Sequence, residues 1–122
     1  TSERTGRLAI EQLREAGTEV VVAGAERVDL TASLAALAEM GVERLMVEGG
    51  STLVAGLLLA SLVDELQLVV APLLFGGARA PTPVGGDGWP RDEAIGLQLL
   101  ESRTNADGDV IVRYGVTGST QA

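Results

Sequence analysis

The residues best suited to chemistry form the run EGGST at positions 48–52. An apolar segment, 45–47, precedes the run and an apolar segment of helical length, 53–63, follows it, which predicts a strand, a turn and a helix. Two adjacent glycines lack Cβ atoms, so a ligand can approach the main chain closely. Ser51 or Thr52 is expected to cap the helix, and the free N–H groups of its first turn suit a phosphate. The alternative to an anion site is a plain tight turn.

The composition limits which other chemistry the chain can perform. Its 122 residues include neither cysteine nor histidine. Disulfides, thiolate metal sites, cysteine nucleophiles and histidine-based triads are therefore excluded, and we expect no metal site. Acid–base chemistry must come from carboxylates, water or a cofactor.

The charge and the hydropathy limit the partners. The net charge is −8, and all 9 basic residues are arginines. Such an acidic chain is not expected to bind nucleic acid or anionic membranes. The apolar run 53–63 is too short to span a bilayer, and no signal-peptide pattern opens the sequence. These features predict a cytoplasmic protein without a membrane partner.

Two more helices are predicted on the N-terminal side of the EGGST run. The first covers residues 6–16 and ends at Gly17. The second begins at a Thr31 cap and ends at Gly41. Both assignments rest on apolar residues at helical spacing followed by a glycine.

Short apolar segments between and after the helices predict strands. Segments 18–23, 45–47 and 66–71 alternate with the helices, and such alternation is typical of an α/β fold with a mainly parallel sheet. Segments 95–103 and 109–116 alternate in polarity across a short polar connection, which predicts an antiparallel hairpin. The sequence therefore predicts a mainly parallel sheet with an antiparallel C-terminal hairpin.

Three motifs resemble one known family. They are LMVEGGSTL at 45–53, LVDELQLVVAPLLFGG at 62–77 and APTPVGGDGW at 80–89. Over residues 1–116 the chain resembles the reductase family of riboflavin biosynthesis, which includes the C-terminal domain of the bacterial bifunctional deaminase-reductases. The third motif is most similar to the archaeal branch, which reduces 2,5-diamino-6-ribosylamino-4(3H)-pyrimidinone 5′-phosphate with NADPH.

The resemblance implies a fold and an assembly. The family has a dihydrofolate-reductase-like, three-layer fold and forms homodimers. Residues 1–117 are then expected to form the latter portion of a single reductase domain, and residues 118–122 a tail. The first strands of the family domain, which supply much of its pyrimidine and ribose-phosphate contacts, have no counterpart in this sequence.

The resemblance also implies a cofactor site at the diglycine. It places the pyrophosphate of NADPH over the turn and the first helical residues, held by main-chain N–H groups, and it implies a cis peptide bond between the two glycines. The cofactor-binding residues expected there are Gly49, Gly50, Ser51, Thr52 and Leu53.

Four residues outside that turn receive roles from the same resemblance. Glu48 matches an acid near the substrate ribose and the nicotinamide, and is the expected catalytic residue. Ser2 and Arg4 match the adenosine end of the cofactor site, where a hydroxyl and a guanidinium suit a 2′-phosphate. Gly24 is expected to contact the adenine or ribose beside them, a simple strand-to-loop turn being the alternative.

The implied activity is hydride transfer from NADPH to a ribosylaminopyrimidine 5′-phosphate, which gives the ribitylamino product. In that reaction the cofactor carries the chemistry, which suits a chain without histidine or cysteine. Two alternatives stay open. One is a dihydrofolate reductase, and the other is a non-catalytic nucleotide-binding or dimerisation module.

Overall fold

The structure is a computed structural model that describes residues 1–119. It divides into two compact units, Thr1–Val47 and a second unit that begins at Glu48. The regular elements are α1 (Arg7–Glu15), α2 (Leu30–Glu39), α3 (Ser51–Leu59), β1 (Glu65–Val70), a 3₁₀ turn (Arg91–Glu93), β2 (Ile95–Thr104) and β3 (Val110–Ser119). The predicted tail begins within β3, which includes residues 118 and 119, and its residues 120–122 lie outside the described part.

Both helices of the first unit end at the predicted glycines. Gly17 and Gly41 have φ angles of 83° and 88°, a left-handed conformation that favours glycine. The N–H of Thr18 donates to the carbonyl of Leu13 at 2.9 Å, so α1 ends in a Schellman turn. The predicted ends of α1 and α2 are therefore confirmed.

The predicted helix caps are wrong. The N-cap of α2 is Asp29, whose Oδ1 accepts a hydrogen bond from the N–H of Ala32 at 2.9 Å, and Thr31 lies inside the helix. The N-cap of α3 is Gly50, with φ −64° and ψ 176°, and no side chain caps this helix. Because an N-cap residue has an extended backbone, Ser51 and Thr52, which are already helical, cannot take that role.

The sheet of the second unit has three strands in the order β1-β3-β2, and both strand pairs are antiparallel. The predicted C-terminal hairpin is confirmed as β2 and β3. Its connection is organised by Asn105, whose Oδ1 accepts hydrogen bonds from the N–H groups of Asp107 at 3.0 Å and Asp109 at 2.9 Å. Gly108 supplies the positive φ of 87° that closes the turn.

A row of ion pairs crosses all three strands on one face of this sheet. Arg113 in β3 lies 3.6 Å from the carboxylate of Glu65 in β1 and 3.7 Å from that of Glu101 in β2. These side chains are about half exposed, so each pair contributes little to stability by itself.

The mainly parallel sheet that the sequence predicts is not formed among residues 1–119. Segments 18–23 and 45–47 are not strands, and β1 pairs only antiparallel with β3. One trace of parallel pairing remains, since the N-terminal amine of Thr1 donates to the carbonyl of Val21 and the N–H of Ala23 donates to the carbonyl of Thr1, each at 2.8 Å. In the described part of the chain residues 43–48 have no backbone hydrogen-bond partner, so the apolar run 45–47 alone did not make a strand there.

Burial is concentrated in α3. Ala55, Leu57 and Leu58 of this helix are buried, whereas α1 contains no buried residue and its Leu8 is 76% exposed. Within residues 1–119 there is no helix of sufficient length and hydropathy to cross a bilayer.

Candidate functional site

The turn between Glu48 and α3 has an unusual main chain. Gly49 has a φ of 106°, and the peptide bond between Gly49 and Gly50 is cis, as the family resemblance implied. A Cβ atom built on Gly50 would meet no atom within 4 Å. Both glycines are exposed, so the main chain of the turn is open to a ligand.

The first turn of α3 presents hydrogen-bond donors next to this open backbone. The N–H groups of Leu53 and Val54 both donate to the carbonyl of Gly50, at 2.9 and 3.1 Å. Those of Ser51 and Thr52 have no acceptor within residues 1–119. Free amides at the positive end of a helix dipole favour a negatively charged group.

Glu48 is the only acidic side chain in the EGGST run. The residue is exposed, and no arginine of the described part of the chain lies within ion-pair distance of its carboxylate. Glu48 directly precedes Gly49 in the sequence, so it is the residue next to the open backbone of the turn.

The glycine-rich segment 80–90 also reaches this turn. The N–H of Gly85 donates to the carbonyl of Ser51 at 3.1 Å. A Cβ on Gly85 would lie only 2.5 Å from the Oγ of Ser51, so the two residues are in direct contact. Sequence reasoning did not assign a role to Gly85, although the third diglycine of the chain, inside the APTPVGGDGW motif, was a visible signal.

The other predicted cofactor-binding residues lie in the first unit, where the main chain brings them together. The N–H of Glu3 donates to the carbonyl of Gly24 at 2.9 Å, so the segment with Ser2 and Arg4 runs beside Gly24. Ser2 is 8% exposed, and the guanidinium of Arg4 lies 3.5 Å from the carboxylate of Glu26. The guanidinium of Arg4 is therefore already paired within the chain, and the Ser2 side chain is buried.

A groove of about 380 Å³ lies in the same unit. Its lining contains two basic and two acidic side chains beside apolar ones and does not include Ser2, Arg4 or Gly24. The residues that line it are Glu3, Thr5, Arg7, Ile10, Glu11, Arg14 and Val22. Because Arg7 is already paired with Glu11 at 3.0 Å, the groove offers no concentrated charge to a ligand.

The chain is similar to known reductases in sequence and in structure. It is 50% identical over 101 residues to a 2,5-diamino-6-ribosylamino-4(3H)-pyrimidinone 5′-phosphate reductase of Methanothermobacter thermautotrophicus, over 82% of this chain and 46% of the relative. It is 38% identical over 91 residues to the reductase of the same name from Aquifex aeolicus, over 75% of this chain and 41% of the relative. A pyrimidine reductase-like protein of Corynebacterium diphtheriae has a similar fold, with a TM-score of 0.78 at 23% identity, over 95% of this chain and 48% of that one.

These matches cover three quarters or more of this chain but less than half of each of those relatives. The structural match confirms a mixed helix-and-strand fold of the pyrimidine reductase kind. The sequence model of the family described as the RibD C-terminal domain matches residues 1–112, and this confirms the resemblance to the reductases of riboflavin biosynthesis. The chain therefore belongs to the RibD C-terminal domain family.

Proposed function

We propose that the chain is the cofactor-binding portion of an NADPH-dependent reductase that converts a ribosylaminopyrimidine 5′-phosphate to the ribitylamino product in riboflavin biosynthesis. The observation that carries this proposal is the open diglycine turn at the start of α3, in a chain that belongs to the RibD C-terminal domain family. Two relatives named as pyrimidinone phosphate reductases support the choice of substrate class.

The turn fits the linking phosphates of a dinucleotide. A phosphate needs several donors and unobstructed space, and the free N–H groups of Ser51 and Thr52 next to the open side of Gly50 provide both. In this proposal residues 49–53 hold the pyrophosphate through the main chain, with the Leu53 backbone completing the first turn. The nicotinamide, when bound, supplies the hydride, and the protein supplies binding and orientation.

Glu48 is proposed to contact the substrate beside the nicotinamide. Its exposed carboxylate has no cationic partner in residues 1–119, so it can accept a hydrogen bond from a ribose hydroxyl. A negatively charged group at that place would also stabilise the positive charge that a bound nicotinamide ring would gain on giving up hydride.

The proposal is tested with the full chain by titrating NADPH and following the nicotinamide fluorescence. We expect saturable binding, followed by NADPH oxidation when the ribosylaminopyrimidine phosphate is added and none with dihydrofolate. NADPH oxidation with dihydrofolate but not with the ribosylaminopyrimidine phosphate would establish the dihydrofolate reductase alternative. NADPH binding without NADPH oxidation in the presence of either substrate would leave a nucleotide-binding module, and absence of NADPH binding would overturn the proposal.

The role of Glu48 is tested by Glu48→Gln. We expect kcat to fall by about 100-fold, at the low end of what a positioned acid–base or charged group contributes, while the Kd for NADPH stays within about twofold. Glu43→Gln, at another exposed glutamate, is the matched control and leaves both values unchanged. An E48Q variant with a normal kcat would remove Glu48 from the catalytic site.

The remaining features of the family stay predictions within this proposal. Ser2, Arg4 and Gly24 are proposed to bind the adenosine end of NADPH. The dihydrofolate-reductase-like three-layer fold, the homodimer and the cytoplasmic location belong to the proposal in the same way. Light scattering on the purified chain tests the dimer directly.

A further inference from the structure

One residue joins the glycine-rich segment 80–90 to the start of α3. Within residues 1–119, the hydrogen bond from the N–H of Gly85 to the carbonyl of Ser51, 3.1 Å long, is the only one that joins this segment to α3 or to a strand. The other bonds of the segment are local, such as that from the Thr82 Oγ1 to the carbonyl of Val84 at 2.7 Å. Hydrogen bonding therefore holds the segment to α3 at a single point.

Close approach is the reason that this point requires glycine. A Cβ on Gly85 would lie 2.5 Å from the Oγ, 3.0 Å from the Cβ and 3.3 Å from the carbonyl carbon of Ser51. Rotation of the serine hydroxyl relieves only the first of these contacts, because the other two atoms cannot move without the helix backbone. Gly86 and Gly88 in the same segment have open space and are distinguished instead by φ angles of 83° and 71°.

Ser51 is also the first residue of α3, and its N–H, like that of Thr52, has no acceptor in the part of the chain that the structure describes. Any displacement of Ser51 by a neighbouring side chain moves that donor. A hydrogen-bond donor that is misplaced by a few tenths of an ångström binds its acceptor less well.

We propose that Gly85 is a positioning residue for the anion-binding end of α3: its direct contact with Ser51 sets the placement of the free N–H groups that receive the cofactor phosphates. The identity of the ligand rests on the proposed function. The coupling between segment 80–90 and the helix start rests on the contact itself.

The proposal is tested by Gly85→Ala in the full chain, with Gly115→Ala as the matched control. Gly115 accepts a Cβ at ordinary contact distances of 3.7–3.8 Å from Leu100. We expect G85A to raise the Kd for NADPH about tenfold, with kcat at saturating NADPH within about twofold, and G115A to change neither. If G85A binds NADPH as tightly as G115A does, the proposal is wrong.

A double-mutant cycle separates positioning from general destabilisation. Ser51→Gly removes both side-chain atoms that the new Cβ would strike, so G85A is expected to raise the Kd no more than about threefold in the S51G background. An equal tenfold loss in both backgrounds would overturn the direct contact as the cause.

A second readout needs no cofactor. In NMR spectra of the free protein, G85A is expected to shift the amide resonances of Ser51 and Thr52, and G115A is expected to leave them in place. If the wild-type chain does not bind NADPH while these shifts occur, the proposed function fails and the positioning contact stands. Unchanged amide resonances in a folded G85A would overturn the positioning contact itself.

Discussion

The two regions predicted to bind the cofactor differ in which groups they offer. The diglycine turn offers main-chain groups: Gly50 faces open space, and the N–H groups of Ser51 and Thr52 have no acceptor in the described chain. The N-terminal region offers side chains instead, of which Ser2 is buried and Arg4 is paired with Glu26. The main-chain donors of the turn are thus free within the described chain, whereas Arg4 must leave Glu26 before its guanidinium can bind a phosphate.

The glycines of the two regions show the same difference. Gly24 has a φ of 90°, and a Cβ there would lie 2.1 Å from the carbonyl oxygen of Arg27 and 2.8 Å from the N–H nitrogen of Asp29. Gly49 has a φ of 106°, but a Cβ would meet its nearest atoms at 3.6 and 3.7 Å. Gly24 is therefore required by packing and conformation together, and Gly49 by conformation alone.

The largest expected effect follows from that contrast and concerns stability. Gly24→Ala should lower the free energy of unfolding by about 3 kcal/mol, because it combines an unfavourable φ with a clash against backbone atoms that cannot rotate away. Gly17→Ala has a similar φ of 83° with no atom near the new Cβ and should cost about 1 kcal/mol. Urea denaturation measures both values, and equal losses would show that the clash at Gly24 is relieved.

A smaller effect, on binding, is expected at the turn. Gly49→Ala should raise the Kd for NADPH about tenfold, or about 1.4 kcal/mol, because a non-glycine residue disfavours the φ of 106° that exposes the turn. Gly17→Ala is again the control, since it introduces similar backbone strain at the end of α1. Fluorescence titration with NADPH measures the Kd of both variants. Similar Kd values for the two would mean that the turn does not bind the pyrophosphate.

The smallest effect is expected at Arg4. Arg4→Ala should weaken NADPH binding about fivefold, close to 1 kcal/mol, and leave NADH binding unchanged, because only NADPH carries the 2′-phosphate. Glu26→Gln should strengthen NADPH binding slightly by releasing the guanidinium. Stability should change little in either variant, since the pair is 70% and 81% exposed. An equal loss for both cofactors would assign Arg4 a role other than 2′-phosphate recognition.

Local backbone chemistry explains what the sequence predicted correctly. The ends of α1 and α2, the β2–β3 hairpin and the start of α3 after the diglycine each depend on a glycine or an asparagine within a few residues. The cis bond was also anticipated, although from family resemblance and not from local chemistry.

Predictions that depended on distant partners were less successful. Residues 18–23 have the composition of a buried strand, yet their hydrogen bonds reach Thr1, the end of α1 and the turn after them, so no mainly parallel sheet forms in the described chain. The N-cap of α2 was also predicted wrongly. Asp29 and Thr31 can both cap a helix, and the sequence does not show which of them has an extended backbone. The pairing of Arg4 with Glu26 and the contact of Gly85 with Ser51 span many residues, which no spacing rule could supply.

The ion-pair row on the antiparallel sheet has a consequence for how the strands align during folding. Arg113 is opposite Glu101 in the register of β2 and β3, and it reaches Glu65 diagonally on β1. A slip by one residue would turn the guanidinium to the other face of the sheet and leave two acids without their shared cation. Misaligned hairpins lose these ion pairs. Pairs that add little to the stability of the folded protein therefore still favour the native alignment of the strands over competing ones.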